Sequence, residues 1–569
     1  MRQRNRTLRV LVIATVAAAG LSAVTAASAS GSPAPTVLLR DNLASIDNTT
    51  QFENTTAPYP PYQHETNVEP SIGVNPNNVD NAVAAFHEGR DATGSAADIG
   101  FATTMDGGNT WTSGNLPHLT SIVDPNQTLN HASDPVVSFG PDNVVYVNSL
   151  VTTEQNGNPQ VAGLAVSESK DGGLTWEAPV IMHDDNVFEL ATAGFYDDKN
   201  WMTVDMSHAA GHHFGRVYVV WDVQVSMLYA YCDPEGTALG AAGTPGCDQP
   251  GNWTTFANSN QGFYVFSTTP GIGSYPLVLQ NGNLEIVFSG TSGFDQVTTL
   301  TPAGSVSWPA PLTFNTVLSS IASDDSGAVR LQRAGPDLPT ASVDPVSGRV
   351  AVGWAGTNPR TDGLNDPEVA ISTDATGQTF GSPIRVDQGA PMGDFVDRYN
   401  TMLDWGPTGD LRVGYRQRQE ALNAADMSQF IDTFYQVSYD DGATFSAPLK
   451  VDTQQTDVGY CAFSRNGCFE GDYDQLAAAG ANSYLVRDEA FASTPGEPYN
   501  NVPTGAANTP CFCSNNGHEH QSTWVAVVGP EAAAVTPEAP LTSLLALGGV
   551  AGVGGVVLWV RRRRARSAG

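Results

Sequence analysis

Hydrophobic positions along the chain come in short runs set off by Gly, Pro, Asn and Asp. Asn81-Ala-Val-Ala-Ala-Phe, Val144-Val-Tyr-Val, Arg216-Val-Tyr-Val-Val-Trp, Leu284-Glu-Ile-Val-Phe and Arg349-Val-Ala-Val-Gly-Trp are typical. Short runs rich in β-branched and aromatic residues, bounded by turn formers, predict strands. Nothing carries the spacing of a long amphipathic helix. The runs recur as a unit: an acidic residue near a Pro or Tyr, an apolar strand, a turn, then further strands. Such units contain Glu69-Pro-Ser-Ile-Gly-Val, Asp134-Pro-Val-Val, Asp198-Lys-Asn-Trp-Met-Thr-Val, Tyr275-Pro-Leu-Val-Leu, Leu338-Pro-Thr-Ala-Ser-Val, Asp397-Arg-Tyr and Gly471-Asp-Tyr. The last unit reads as three strands, ending on Thr523-Trp-Val-Ala-Val-Val. The stretch Thr36-Val-Leu-Leu is available to complete it.

Four units end on one pattern. Thr104-Met-Asp-Gly-Gly-Asn-Thr-Trp111, Ser169-Lys-Asp-Gly-Gly-Leu-Thr-Trp176 and Ser438-Tyr-Asp-Asp-Gly-Ala-Thr-Phe445 share a spacing. Ser372-Thr-Asp-Ala-Thr-Gly-Gln-Thr-Phe380 has one extra residue before its Gly. In each copy the Asp can accept backbone N–H groups in a tight turn, the Gly adopts a conformation other residues resist, and the aromatic packs on the sheet.

This pattern resembles the Asp-box, or bacterial neuraminidase repeat, of sialidase-like β-propellers. The resemblance implies an all-β propeller whose boxes lie away from the active centre. The units favour seven blades, with six, the number in sialidases, as the alternative. Closing the ring with both chain ends would leave no open sheet edge.

The termini add two segments. Arg2, Arg4, Arg6 and Arg9 precede the apolar run from Val10 to Ala19, and Ala27-Ser-Ala offers small residues for cleavage. This reads as a secretory signal peptide. Residues 541–560 carry no charge and lead into Arg561, Arg562, Arg563, Arg564 and Arg566. At helical rise the run spans about 30 Å, the thickness of a bilayer core. The arginines predict a cytoplasmic tail with the preceding chain outside. The expected layout is signal peptide 1–29, N-terminal arm 30–66 closing the ring, propeller 67–530, linker 531–540, transmembrane helix 541–560 and basic tail 561–569. The protein would then sit on the extracellular face of the cell membrane.

The 58 acidic residues against 26 basic ones give a net charge of −32, which excludes nucleic acid as a partner. Six cysteines suit an exported protein. Cys232 with Cys247 and Cys461 with Cys468 are the plausible local pairs, while Cys511 and Cys513 can pair together or elsewhere.

Candidate chemistry sits where the units open. If the units are equivalent, Glu69, Asp134, Asp198, Asp397 and Asp472 converge on one mouth of the channel, with Lys199, Arg398, Tyr399 and Tyr473 beside them. Gathered carboxylates raise one another's pKa and supply a general acid, or they hold a cation. The sialidase resemblance implies three arginines that grip a substrate carboxylate, a Tyr nucleophile activated by a Glu, and an Asp acid/base. The family's first arginine lies in a Phe/Tyr-Arg-Ile-Pro motif, but here Thr66-Asn-Val-Glu-Pro-Ser-Ile-Gly has none. Arg398, Arg416 and Arg418 are the substitutes, with Tyr399 or Tyr415 as nucleophile. The catalytic candidates are Asp397, Arg398, Tyr399, Glu69 and Asp134. The substrate-binding candidates are Asp198, Lys199, Arg416, Arg418, Asp472 and Tyr473. No cofactor is required. Asp184-Asp185 and Asp197-Asp198 could hold calcium through oxygen ligands. The groups His208, His212, His213 and His518, Glu519, His520 read as exposed loops rather than metal sites. Extracellular glycans or glycoproteins are the expected partners, either hydrolysed as by an exo-sialidase or bound by a non-catalytic adhesion module.

Overall fold

The computed structural model describes residues 35–531 with breaks, the longest at 46–62, 185–196, 235–245, 254–263, 301–337 (save Val306–Ser307), 421–429 and 496–519. The expected signal peptide, transmembrane helix and basic tail lie outside the described residues, as do Cys511, Cys513, His518 and Glu519. Apart from one 3-10 turn at Pro141–Asn143, every described element is a strand. Among the described residues no helix is long and apolar enough to cross a membrane.

The strands pair antiparallel in successive four-stranded sheets. Their inner strands are Asn67–Val74, His131–Phe139, Asp198–Val204, Gly271–Val278, Thr340–Val343, Val396–Trp405 and Gln475–Ala479. Each inner strand packs against the next, and the last packs against the first. That is the arrangement of a β-propeller. The first and second sheets are further joined by a bridge between Ala96 and Ala132. The last sheet takes its outermost strand from the other end of the chain: Thr36–Leu43 pairs antiparallel with Gln521–Pro530. Buried between sheets, Arg487 on Asn482–Ala490 reaches Asp41 on that N-terminal strand at 2.8 Å.

Alternation along each strand sends apolar side chains into the spaces between neighbouring sheets. Trp221 and Trp354 are the largest wholly buried apolar side chains there. Cys232 and Cys247 form a disulfide, and Cys461 is also disulfide-bonded.

The boxes show why their residues recur. In the second, Asp171 accepts the N–H groups of Leu174 at 3.0 Å and Thr175 at 2.9 Å, and the Thr175 hydroxyl at 2.6 Å. Ser169 accepts the Gly173 N–H at 2.9 Å. Asp106 with Thr110 and Asp440 with Thr444 repeat this at 2.9 and 2.8 Å. In the third box the extra residue shortens the turn's reach, and Asp374 accepts from Thr376 instead, at 2.8 Å.

Each of these turns also touches the preceding sheet. Asn81 donates to the Gly172 carbonyl at 3.0 Å and Thr103 to that of Gly173 at 2.6 Å. Trp176 lies 5.5 Å from Phe101 of the first sheet. Arg349 of the fifth sheet pairs with Asp441 in the fourth box. The first box meets the N-terminal strand, where Arg40 donates to Gly107 O at 2.8 Å and Asn42 to Gly108 O at 2.7 Å. The boxes are staples between blades.

Candidate functional site

Five inner strands carry the same irregularity. Their pairing slips between Val68 and Ser71, Ser133 and Val136, Asp198 and Trp201, Ile272 and Tyr275, and Tyr399 and Met402. Each slip holds a residue with left-handed backbone: Glu69 (φ 56°), Asp134 (φ 48°), Lys199 (φ 28°), Gly273 (φ 76°) and Asn400 (φ 47°). Gly accepts this freely. At the other four the strain is of order 1–3 kcal/mol per residue, which a bulge retains where it re-aims a side chain.

Lys199, Gly273 and Asn400 border one recess at the channel mouth, together with Trp201, Tyr275, Asp472, Tyr473 and Asp474; its enclosed volume is about 30 Å³, and the rest of the space opens to solvent. Trp201, Tyr275 and Gln475 also border the wider space beyond, so they form its floor. The Trp201 ring lies 4.8 Å from Tyr275 and meets Tyr473 edge-on at 5.5 Å.

Lys199 is 5% exposed. Its ammonium lies 3.5 Å from the centre of the Tyr473 ring and 4.2 Å from that of Trp201. Among the described residues its Nζ has no hydrogen-bond partner, and neither does the Tyr473 hydroxyl. Burial pulls the lysine below its ordinary pKa, opposed by the charges of Asp134, Glu69, Asp472 and Asp198. Asp198 is solvent-exposed where the strand opens, but its carboxyl is still pushed up to about 6 by partial desolvation, then by Asp134 and Asp472.

Glu69 and Asp134 meet at His87, which comes from the second strand of the first sheet. Its Nε2 is 3.2 Å from Glu69 Oε2 and 3.8 Å from Asp134 Oδ1. The three ligand atoms lie within 4.8 Å of one another, a spacing a metal ion could use. The Asp134 N–H, however, points at Nε2 from 2.7 Å and takes up its lone pair. Arg90 Nη1 stands 3.2 Å from the other ring nitrogen. Contacted at both ring nitrogens, His87 packs between the opening strands of the first and second sheets as a brace. Asp472 N–H donates to Glu69 Oε1 at 3.3 Å and ties the seventh sheet to the first.

Glu69, Asp134, Asp198, Lys199, Asp472 and Tyr473 thus share one neighbourhood. Asp397 and Arg398 stand elsewhere, between the fifth and sixth sheets. Asp397 Oδ1 accepts the Asn365 N–H at 2.8 Å and its side-chain amide at 3.0 Å. Arg398 pairs with Asp366, Asp387 and Asp394 at 2.8, 2.9 and 2.7 Å. The reason is register: the sixth sheet's bulge falls at Asn400, three residues after Asp397.

A third group lies between the sixth and seventh sheets. The Tyr399 hydroxyl donates to Glu470 at 3.3 Å, and Arg416 reaches Glu470 at 3.3 Å, Glu489 at 3.4 Å and Asp474 at 3.9 Å. Arg418 is buried as well. Tyr399 is enclosed by Ala355, Ile431, Val458 and Tyr460. Burial, then Glu470, raise its pKa well above the ordinary phenol value. Tyr415 donates to Gln436 at 3.0 Å.

Around the loop histidines, His212 contacts Asp205 at 2.8 Å and the Gln280 carbonyl at 2.9 Å, while His208 stacks on Phe214. Of the residues proposed for calcium, Asp198 faces Lys199, whose ammonium already supplies positive charge there. Trp201, Asn400, Asp474 and His87 were missed from sequence. Aligning the units on the bulge would have found Asn400, and His87 has only its place opposite Val68 as a signal.

No family model matches the chain, and no curated protein matches it. Solved structures do. An intramolecular trans-sialidase from Ruminococcus gnavus is 13% identical over 62% of this chain and 90% of its own, with a TM-score of 0.39. The GH93 α-L-arabinofuranosidase of Fusarium graminearum is 12% identical over 87% and 98%, with a TM-score of 0.38. The Aleuria aurantia lectin is 12% identical over 68% and 97%, with a TM-score of 0.36. Sialidases and related propellers are thus among the structures this chain resembles. The likeness is one of layout and assigns no residue a role.

Proposed function

We propose that this chain is a seven-bladed propeller, exported and held on the outer face of the cell membrane, that binds extracellular glycans in the recess around Lys199. One observation carries the reading: a buried ammonium and a buried phenol, both without hydrogen-bond partners among the described residues, open on a recess walled by Trp201, Tyr275 and Tyr473. Aromatic faces take the apolar face of a sugar ring, and the orphan donors take its hydroxyls. The apolar run 541–560 and the arginines after it support the membrane anchor.

Turnover at the same site would fall to its carboxylates. Asp472 lines the recess, and Asp198, next in chain to Lys199 and with its pKa near 6, is suited to donate a proton to a leaving oxygen opposite it. The adhesion reading, binding without turnover, is favoured by the enclosure of Tyr399: a tyrosine nucleophile there has no path to substrate.

The test is a panel of fluorogenic glycosides, a sialoside included, run alongside glycan-array binding on the full-length protein. Turnover lost in Asp198→Asn supports the hydrolase. Array binding lost in Trp201→Leu without any turnover supports the module. Neither signal would remove the glycan reading.

A further inference from the structure

We propose that the recess accepts an uncharged sugar ring and rejects sugars that carry a carboxylate. The inference rests on the glycan reading above and specifies its ligand. Among the described residues, Lys199 is the cation that faces Glu69, Asp134, Asp198 and Asp472. Asp474 also lines the wall, but it is paired with Arg416 and adds no surplus charge.

The arginines that could grip an acidic sugar are engaged elsewhere. Arg398 is held by three aspartates, and Arg416 by Glu470, Glu489 and Asp474. A ligand carboxylate would therefore enter a space with surplus negative charge and little water, where like charges a few ångströms apart repel strongly. A neutral ring meets no such barrier. Its hydroxyls can accept from Lys199 and Tyr473 and donate to Asp472 and Asp474. Its apolar face can lie on Trp201 or Tyr473.

The experiment compares pairs that differ only in charge. Affinities of the full-length protein are measured by calorimetry for methyl glycosides of common neutral hexoses and for the matching uronosides, with a methyl sialoside added. At least one neutral glycoside should bind roughly tenfold or more tighter than its acid counterpart. Asp472→Asn should narrow that gap several-fold by removing one of the repelling charges. A uronoside or sialoside that binds as tightly as the neutral partner, with the binding lost in Trp201→Leu, overturns the inference and leaves the glycan reading standing. Absence of binding by every glycoside, neutral and acidic, overturns the glycan reading itself.

Discussion

Lys199 and Tyr473 meet at the channel mouth, the ammonium 3.5 Å from the centre of the phenol ring, although the third and seventh sheets that carry them are remote in sequence. The contact exists because the ring of sheets closes. It also holds a positive charge among carboxylates that would otherwise repel one another.

Replacing Lys199 with Met tests that role. Glu69, Asp134, Asp198 and Asp472 would then face each other unneutralised. The thermal midpoint of Lys199→Met should fall several degrees below that of the wild type at pH 8. It should move toward the wild type at pH 5, where Asp198 takes up a proton. Equal midpoints at pH 8 would show that the ammonium does not hold the cluster together.

The box turns should be sensitive to volume more than to charge. A Cβ on Gly173 would stand 2.4 Å from Val83 Cγ2 and 2.8 Å from Thr103 Oγ1, at a backbone φ of +94°. Gly173→Ala should therefore destabilise by about 1–3 kcal/mol, loosening the second sheet from the first. Asp171→Ala removes hydrogen bonds within an exposed turn and should cost less. Urea midpoints of the two variants give the order, and the reverse order would argue against the staple.

Ring closure can be tested at Asp41. Its carboxylate and the Arg487 guanidinium are both wholly buried. Asp41→Asn leaves Arg487, among the described residues, paired with Glu489 alone and should destabilise by about 1–3 kcal/mol. Hydrogen exchange should accelerate first in Thr36–Leu43 and in its partner Gln521–Pro530. Uniform acceleration across all sheets would mean that the N-terminal strand is no special weak point.

Stability should fall between mildly acidic and mildly alkaline pH. Desolvation raises Asp198 to about 6, Glu470 to about 7 and Glu88 to about 8. In the unfolded chain these groups titrate near 4. Between those values the folded state binds more protons, so its stability is lost as pH rises. The Asp-box carboxylates work in the opposite sense at lower pH. Hydrogen bonds from Thr110 and Thr444 hold Asp106 and Asp440 below the usual range, and that contribution is lost as pH falls through their depressed values. The thermal midpoint should be higher at pH 5.5 than at pH 8, and Glu470→Gln should flatten part of the slope. A midpoint that climbs steadily to pH 8 would contradict this.

The strands were legible because each short apolar run lies between turn formers and packs on both faces. The boxes were legible because Asp, Gly and Thr each have one geometric task in the turn. The site was legible only in part. Glu69, Asp134, Lys199 and Asp472 stand at unit openings that the bulges bring into one mouth. Asp397 shares that sequence context but not that position, because the bulge of its strand comes later, at Asn400. His87 belongs to a second strand, and its approach to Glu69 depends on cross-strand register that no local pattern encodes. Nor did spacing reveal that Arg398 and Arg416 are saturated by carboxylates, since Asp366, Glu470 and Glu489 are far away in sequence, even though Asp394 stands four residues before Arg398.

The most direct measurement is a crystal structure of the protein soaked with the neutral glycoside that binds best. The account predicts a sugar ring at the channel mouth, its face on Trp201 or Tyr473 and a hydroxyl within hydrogen-bond distance of Lys199 Nζ. A sugar seated on the outer rim of the blades, with the Lys199 recess empty, would contradict it.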